Sequence, residues 1–366
     1  MSDATLAATV NHSGGSYPIK VGWGILDNLG DIVTELGFSG PVYIISDSNV
    51  MNPYGRQVQW ALQKSGIKAH SFVFPAGEQS KNQNSANEIY KWLVDRKAER
   101  RHLIIAVGGG VVGDLAGYVA ATFLRGVPFI QVPTSMASMV DASIGGKVAV
   151  NLPQGKNLIG AFYQPKAVIA DVASLRSLGK RELSEGWAEA IKHGFIVDQQ
   201  LVDVFEDNSQ ALMELEPELS TDVIKRSMAI KANIVSQDER ETLGLRILLN
   251  YGHTVGHALE ASTEYGRFMH GEGVSVGMVA ASKIAQHMGL IDEELVQRHL
   301  KLLTQYNLPI NAENINIEAF NNAMALDKKS LSGRNQWVLL DSIGKAITRH
   351  DVPVEIVQNV VSELIN

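Results

Sequence analysis

The sequence predicts an α/β protein: a doubly wound parallel-sheet domain over residues 1–178, then a mainly α-helical domain over residues 179–366. Three observations lead there. Short apolar runs rich in β-branched residues alternate with amphipathic stretches through the first half. A glycine turn, Gly108-Gly109-Gly110-Val111-Val112-Gly113, sits between one such run and the next helix. From about Leu178 helical periodicity takes over, and residues 336–340 form the one strand-like run that remains.

The elements follow in order. Residues 5–11 and 16–21 read as two strands joined through His12-Ser13-Gly14-Gly15, a hairpin signal. Residues 42–46 read as a buried strand ending in Asp47, 54–64 as a helix, 70–74 as a strand and 82–97 as a helix. Residues 103–107 form a strand that enters the glycine turn and a helix reaching Leu124. Residues 129–132 and 167–170 are further strands, and such alternation implies a parallel sheet covered on both faces. In the second half, residues 181–193, 198–206, 218–236, 245–263, 270–288 and 292–305 read as helices.

Composition narrows the chemistry. With 45% hydrophobic and 19% charged residues, the chain is of ordinary globular type. A net charge of -7 and a pI near 5.8 give no basic face for nucleic acid or anionic membrane. The absence of cysteine excludes disulfides, thiol nucleophiles and thiolate metal sites, so any metal must sit on histidine and carboxylate. Met1-Ser2-Asp3-Ala4 lacks a signal-peptide pattern, and the apolar stretch from Leu103 to Leu124 reads as strand, turn and helix, not a membrane span. A cytoplasmic protein is expected, with neither nucleic acid nor membrane as partner.

Four segments carry chemistry. His253 and His257 are four residues apart and would share a helix face; His270 follows past a turn. The three histidines could hold a divalent metal, although the pair alone is equally well an ordinary helix face. Glu189 stands between Ala188 and Ala190, and on spacing reads as an intrahelical ion pair with Lys192; it is also a carboxylate able to complete a metal site. The glycine turn suits a pyrophosphate at a helix N-terminus. It is not on the first strand–helix turn, and the acid placed to bind a ribose, Asp47 with Asn49 nearby, lies upstream, so the strand order should be non-standard. Lys147 and Lys156, read as loop residues flanked by glycine, suit phosphate or carboxylate groups.

Taken together, GGGVVGDLAGYVAAT, PTSMASMVDASIGGK, GKNLIGAFYQP, GWAEAIKHG, LNYGHTVGHALE and HGEGVSVGM resemble the 3-dehydroquinate synthase family of sugar phosphate cyclases, in order and over nearly the whole chain. The resemblance implies a Rossmann-like first domain that binds NAD and a helical second domain that binds metal and substrate. It implies Glu189, His253 and His270 as ligands of zinc or cobalt, and moves His257 to the substrate. It implies NAD contacts at Asp47, Asn49, Glu78, Lys81, Gly109, Gly110, Val111, Asp114, Thr134, Ser135, Lys147, Lys156 and Ser177. It places Asp141, Lys147, Asn157, Lys192, Lys231, Arg246, Asn250, His257 and Lys328 (or its neighbour Lys329) around the substrate. Arg125 would reach a neighbouring subunit's phosphate site, so a homodimer is expected. Within this set Lys147, Asn157, Asn250, His257 and Arg125 fall to the phosphate, Arg246 and Lys231 to the carboxylate. Ser135, the run Met136-Ala137-Ser138-Met139 and Gly273 depart from the usual pattern without removing a charged group.

The activity so implied converts 3-deoxy-D-arabino-heptulosonate 7-phosphate to 3-dehydroquinate and phosphate. Transient oxidation by NAD allows phosphate β-elimination; re-reduction, ring opening and aldol closure follow. Another sugar phosphate cyclase and a metal-dependent polyol dehydrogenase are the alternatives. The carboxylate- and phosphate-binding sets argue against both.

Overall fold

The computed structural model describes residues 4–263, 266–330 and 336–365, with the side chains of 326–330 outside the described set. The chain forms two compact units, Met1–Ser177 with Pro217–Arg240 and Leu178–Glu216 with Glu241–Asn366.

The first unit contains β1 (Thr5–His12), β2 (Gly15–Gly22), α1 (Leu29–Glu35), β3 (Val42–Asp47), α2 (Arg56–Lys64), β4 (Ala69–Phe74), α3 (Gln83–Asp95), β5 (Leu103–Gly108), α4 (Gly110–Thr122), β6 (Phe129–Pro133), β7 (Lys147–Leu152), β8 (Gly155–Phe162) and β9 (Val168–Asp171). Seven strands join in the order β1-β2-β9-β6-β5-β3-β4, parallel except for the β1–β2 hairpin. Every residue of β3 and β5 is buried. Side chains alternate between faces along a strand. Val42 and Ile44 therefore enter one core with Val58, Ala61 and Leu62 of α2, while Tyr43 and Ile45 enter the other with residues of α3 and α4. Two covered faces explain why these strands read as unbroken apolar runs.

In the second unit α5 (Lys180–Val197), α6 (Gln199–Asp207) and α7 (Ser209–Met213) precede the return of the chain to the first unit as α8 (Pro217–Gln237). It continues with α9 (His253–Ser262), α10 (His270–His287), α11 (Glu293–Gln305), α12 (Ile317–Ser330), β10 (Trp337–Ser342), β11 (Lys345–Arg349) and α13 (Val354–Leu364). Among the described residues, no helix is long and apolar enough to cross a membrane.

The structure departs from the expected elements at several points. A single cut at residue 178 does not describe the units, because α8 packs with the first. Asn11 donates its N–H to Ser236 Oγ at 2.9 Å, and Ser13 donates to Glu239 Oε2 at 2.9 Å, tying the end of this segment to the β1–β2 hairpin. Lys147 and Lys156 lie on the β7–β8 hairpin, not in loops. Residues 245–263 are not one helix: a 3-10 turn over Arg246–Asn250 stops before Gly252, whose φ of 81° breaks the path ahead of α9. The strand-like run at 336–340 has a partner, β11. Helices α1, α7, α12 and α13 had no counterpart in the sequence reading.

Candidate active site

The first unit places its polar groups where the sheet reverses direction. From β3 the chain moves outward to β4; from β5 it moves the opposite way to β6. The carboxyl ends of β3 and β5 therefore flank a crevice of the kind that binds ligands in open α/β sheets. Asp47 ends β3, buried, and its Oδ1 accepts the N–H groups of Asn49 and Val50, both at 2.9 Å. The glycine turn ends β5. Gly108 is forced by packing, since a Cβ there would lie 2.3 Å from Val112 Cγ2. Gly109 precedes the first turn of α4, where no side chain caps the helix and no acid occupies the first turn. Such an end offers backbone N–H groups and a positive dipole to an anion. Thr134 donates its N–H to Gly108 O at 3.0 Å, and Ser135 pairs with Ser138 through their hydroxyls at 2.9 Å.

Behind the turn lies a charged network. The buried Lys81 Nζ is 3.1 Å from both Glu78 Oε1 and Asp114 Oδ2. Burial pushes Asp114 up to about 6, against the pull of Lys81. Burial also acts to raise Glu78, but Lys81, the Asn151 amide and Lys156 together outweigh it and hold Glu78 low. Asn151, which no motif singled out, donates to Glu78 Oε1 at 2.7 Å and accepts the Asn157 N–H at 2.8 Å. Its place in the β7–β8 hairpin is what brings it there. Lys147 opens that hairpin, exposed, and Asn157 adopts a left-handed φ of 57°. Lys231 of α8 bonds both the carbonyl (2.6 Å) and the carboxylate of Asp141. Arg125 is exposed at the end of a 3-10 turn over Phe123–Arg125, where Leu124, Arg125 and Gly126 take φ of 49°, 66° and 118°. Two consecutive left-handed side-chain residues cost roughly 1–2 kcal/mol each, a strain often kept for function. The Ser177 hydroxyl donates to Ser174 O at 3.0 Å.

The second unit builds a metal-ligand group from three helices. Helices α9 and α10 approach closely because glycines face each other. A Cβ on Gly277 would lie 1.8 Å from Gly252 O, and one on Gly271 1.8 Å from Glu185 O. This sets His253 and His270, each the first residue of its helix, beside Glu189 in the buried middle of α5. One ligand atom from each of the three lies within 4.8 Å of the others. Both imidazole Nε2 atoms are 3.7 Å from Glu189 Oε1, which is buried and has no hydrogen-bond partner. The other oxygen, Oε2, pairs with Lys192, so Glu189 forms the intrahelical pair and joins the histidines at once. Supporting bonds fix the rings. His253 Nδ1 donates to Tyr251 O at 3.2 Å, and His270 Nδ1 donates to Glu260 Oε1 at 2.8 Å. With Nδ1 so engaged, Nε2 is the nitrogen each ring turns toward Glu189. A buried acceptor with two such nitrogens fits a divalent cation, and the N,N,O donor set suits zinc or cobalt.

His257 stands one turn along α9, exposed, with its ring 5.2 Å from that of His253, outside the group of ligand atoms. Buried Arg246 lies 3.4 Å from Glu241 Oε1, and exposed Asn250 ends the same 3-10 turn. The side chains of Lys328 and Lys329 lie outside the described residues. The sequence reading missed Glu260 and Glu185, which accepts the Gly271 N–H at 3.0 Å. Glu260 falls seven residues after His253, two turns along one helix face, which was the available signal.

Two family models match the chain in succession: 3-dehydroquinate synthase N-terminal over residues 71–185 and 3-dehydroquinate synthase C-terminal over residues 186–330. A 3-dehydroquinate synthase of Thermoanaerobacter pseudethanolicus is 45% identical over 331 residues, 90% of this chain and 93% of the relative. Among solved structures, a 2-epi-5-epi-valiolone synthase from Streptomyces hygroscopicus with NAD+ and Zn2+ bound superposes with a TM-score of 0.87 at 27% identity, covering 95% of this chain and 96% of that one. A 2-deoxy-scyllo-inosose synthase complexed with carbaglucose-6-phosphate, NAD+ and Co2+ gives 0.87 at 28% identity, covering 99% of this chain and 100% of that one. From these matches and the relative's extent and identity, the chain belongs to the 3-dehydroquinate synthase family.

Proposed function

We propose that the protein is a 3-dehydroquinate synthase, converting 3-deoxy-D-arabino-heptulosonate 7-phosphate to 3-dehydroquinate and phosphate with NAD+ and a divalent ion, zinc or cobalt, as cofactors. The observation that carries the reading is Glu189 Oε1, buried without a hydrogen-bond partner and equidistant at 3.7 Å from two imidazole nitrogens. A bound cation satisfies all three donors; a helix-face pair would leave that oxygen unpaired. The 45% identity to a relative named for this activity favours it over the reactions of the cyclases matched at 27–28%.

Glu189, His253 and His270 hold the ion. Asp47 receives ribose hydroxyls, and Gly109, Gly110 and Val111 at the start of α4 receive the pyrophosphate. When bound, the ion supplies Lewis acidity toward substrate hydroxyls and NAD+ a reversible hydride acceptor, neither being consumed. The remaining polar residues answer to the substrate's charge. Lys147 and Asn157 are assigned to the phosphate and Arg246 to the carboxylate, where a planar guanidinium pairs well. Lys231, held on Asp141, adds a second cation for the carboxylate. Asn250 and His257 are assigned to the phosphate on the same reading. The protein acts in the cytoplasm as a homodimer, with Arg125 reaching the neighbouring copy's substrate.

The test is a phosphate-release assay with the heptulosonate phosphate, NAD+ and zinc, the product identified by mass and NADH followed throughout. Equal yields of phosphate and dehydroquinate without net NADH are expected. No turnover in protein carrying metal and NAD+ would move the search to other sugar phosphates, and accumulating NADH would indicate a polyol dehydrogenase.

A further inference from the structure

We propose that Glu260 is a positioning residue of the metal centre, setting its affinity through His270. The inference rests on the metal reading above and goes beyond its ligands. The two histidines are supported unequally. His253 Nδ1 donates to a neutral carbonyl, Tyr251 O, at 3.2 Å, whereas His270 Nδ1 donates to the Glu260 carboxylate at 2.8 Å. An anionic acceptor at Nδ1 favours the tautomer that can offer Nε2 to a cation and makes that nitrogen the stronger donor.

Charge points the same way. Glu189 is already paired with the buried ammonium of Lys192. With two neutral imidazoles, Glu189, Lys192, His253 and His270 sum to zero against a divalent ion. Glu260, its side chain 9% exposed, adds a negative charge one imidazole away. Glu185 lies near as well, but it accepts the Gly271 N–H and burial pushes its carboxyl toward the neutral form. Gly273 of α10 lies beside it: a Cβ there would sit in ordinary contact, 3.5 Å from both Cγ and Oε1. Helix α9 thus carries one ligand on its first turn and supports the ligand of α10 two turns later.

The test compares wild type, Glu260→Gln, His270→Ala and the double variant after stripping metal. Zinc affinity is measured by competition with a chromophoric chelator, cobalt binding by its visible absorption, and the fold of each metal-free protein by circular dichroism. Glu260→Gln should weaken zinc binding about 10–100-fold and shift the cobalt bands while the metal-free fold is kept. In the His270→Ala background the same change should have little further effect, because its route to the metal is gone. Unchanged zinc affinity in Glu260→Gln, or an equal loss in both backgrounds, would overturn the role assigned to Glu260 and leave the metal reading standing. A wild-type chain that takes up neither ion would overturn the metal reading itself, and this inference with it.

Discussion

Glu189 is shared between an ammonium on one oxygen and two imidazoles on the other. Its replacement therefore has two separate effects. Glu189→Gln removes a proposed metal ligand and strands the Lys192 ammonium, and breaking a buried pair in this way costs about 3–5 kcal/mol. Metal content measured by atomic emission should fall to background and chemical denaturation should report the stability loss; a variant retaining stoichiometric zinc would contradict the assignment. His299 offers a prediction on pH. It is fully buried, stacked on Phe195 at 3.7 Å and hydrogen-bonded to the Tyr251 hydroxyl at 3.0 Å, and burial lowers it to about 4. The unfolded chain takes up this proton near pH 6.5, whereas the folded one resists until about 4. Stability contributed by the neutral ring is thus full above pH 6.5 and lost as pH falls toward 4, on the order of 3 kcal/mol. Denaturation curves at pH 7 and 4.5 should show a smaller acid penalty in His299→Gln; equal penalties would remove His299 as the cause. At this scale the sequence was informative about residue type and weak about grouping. The i,i+4 rule ties His253 to His257, because periodicity describes neighbours on one helix. The three residues that could hold an ion come instead from three helices, a tertiary grouping that only the family resemblance pointed to.

Among the elements, α9 and α10 meet through backbone. Gly277→Ala would place a methyl 1.8 Å from Gly252 O and push the two helices apart at the turn before His253. Overpacking costs about 1–3 kcal/mol where side chains can yield, and a backbone carbonyl yields less. A lower thermal midpoint is expected together with weaker zinc binding, read by the same chelator competition; normal binding at reduced stability would separate packing from the metal centre. The glycines that permit this contact look, in sequence, like weak points within helical stretches. The same blindness explains why residues 245–263 read as one helix: apolar spacing continues across Gly252, while its φ of 81° does not. Strands β3 and β5 were legible because burial on both faces leaves continuous apolar runs. The β7–β8 hairpin was not, since its glycines and lysines resemble loop chemistry and its outer strand is largely exposed.

For the molecule as a whole, the residues assigned to NAD+ belong to one compact unit and those assigned to the metal to the other. Ligands that bind only the folded state stabilise it by mass action, by about 2.7 kcal/mol at a hundredfold excess over Kd. NAD+ should therefore slow hydrogen exchange chiefly in β3, β5 and α4, and zinc chiefly in α5, α9 and α10. Exchange that slows equally in both sets with either ligand would refute separate sites. Fold class was readable from alternation and glycine punctuation, but the division into units was not. Helix α8 lies in the later half of the sequence and its periodicity says nothing about which core it joins.

Helix α8 also bears on how the protein is made. Chains emerge from the ribosome N-terminus first, and units fold when their last piece is available. The first unit is missing Lys231 beneath Asp141 and the anchors at Ser236 and Glu239 until synthesis has passed Arg240, after α5 to α7 have already appeared. A gene fragment stopped near residue 178, the natural cut by sequence, would carry the whole seven-stranded sheet but lack α8. Grafting residues 217–240 back onto such a fragment is the smallest change that should make it stand alone.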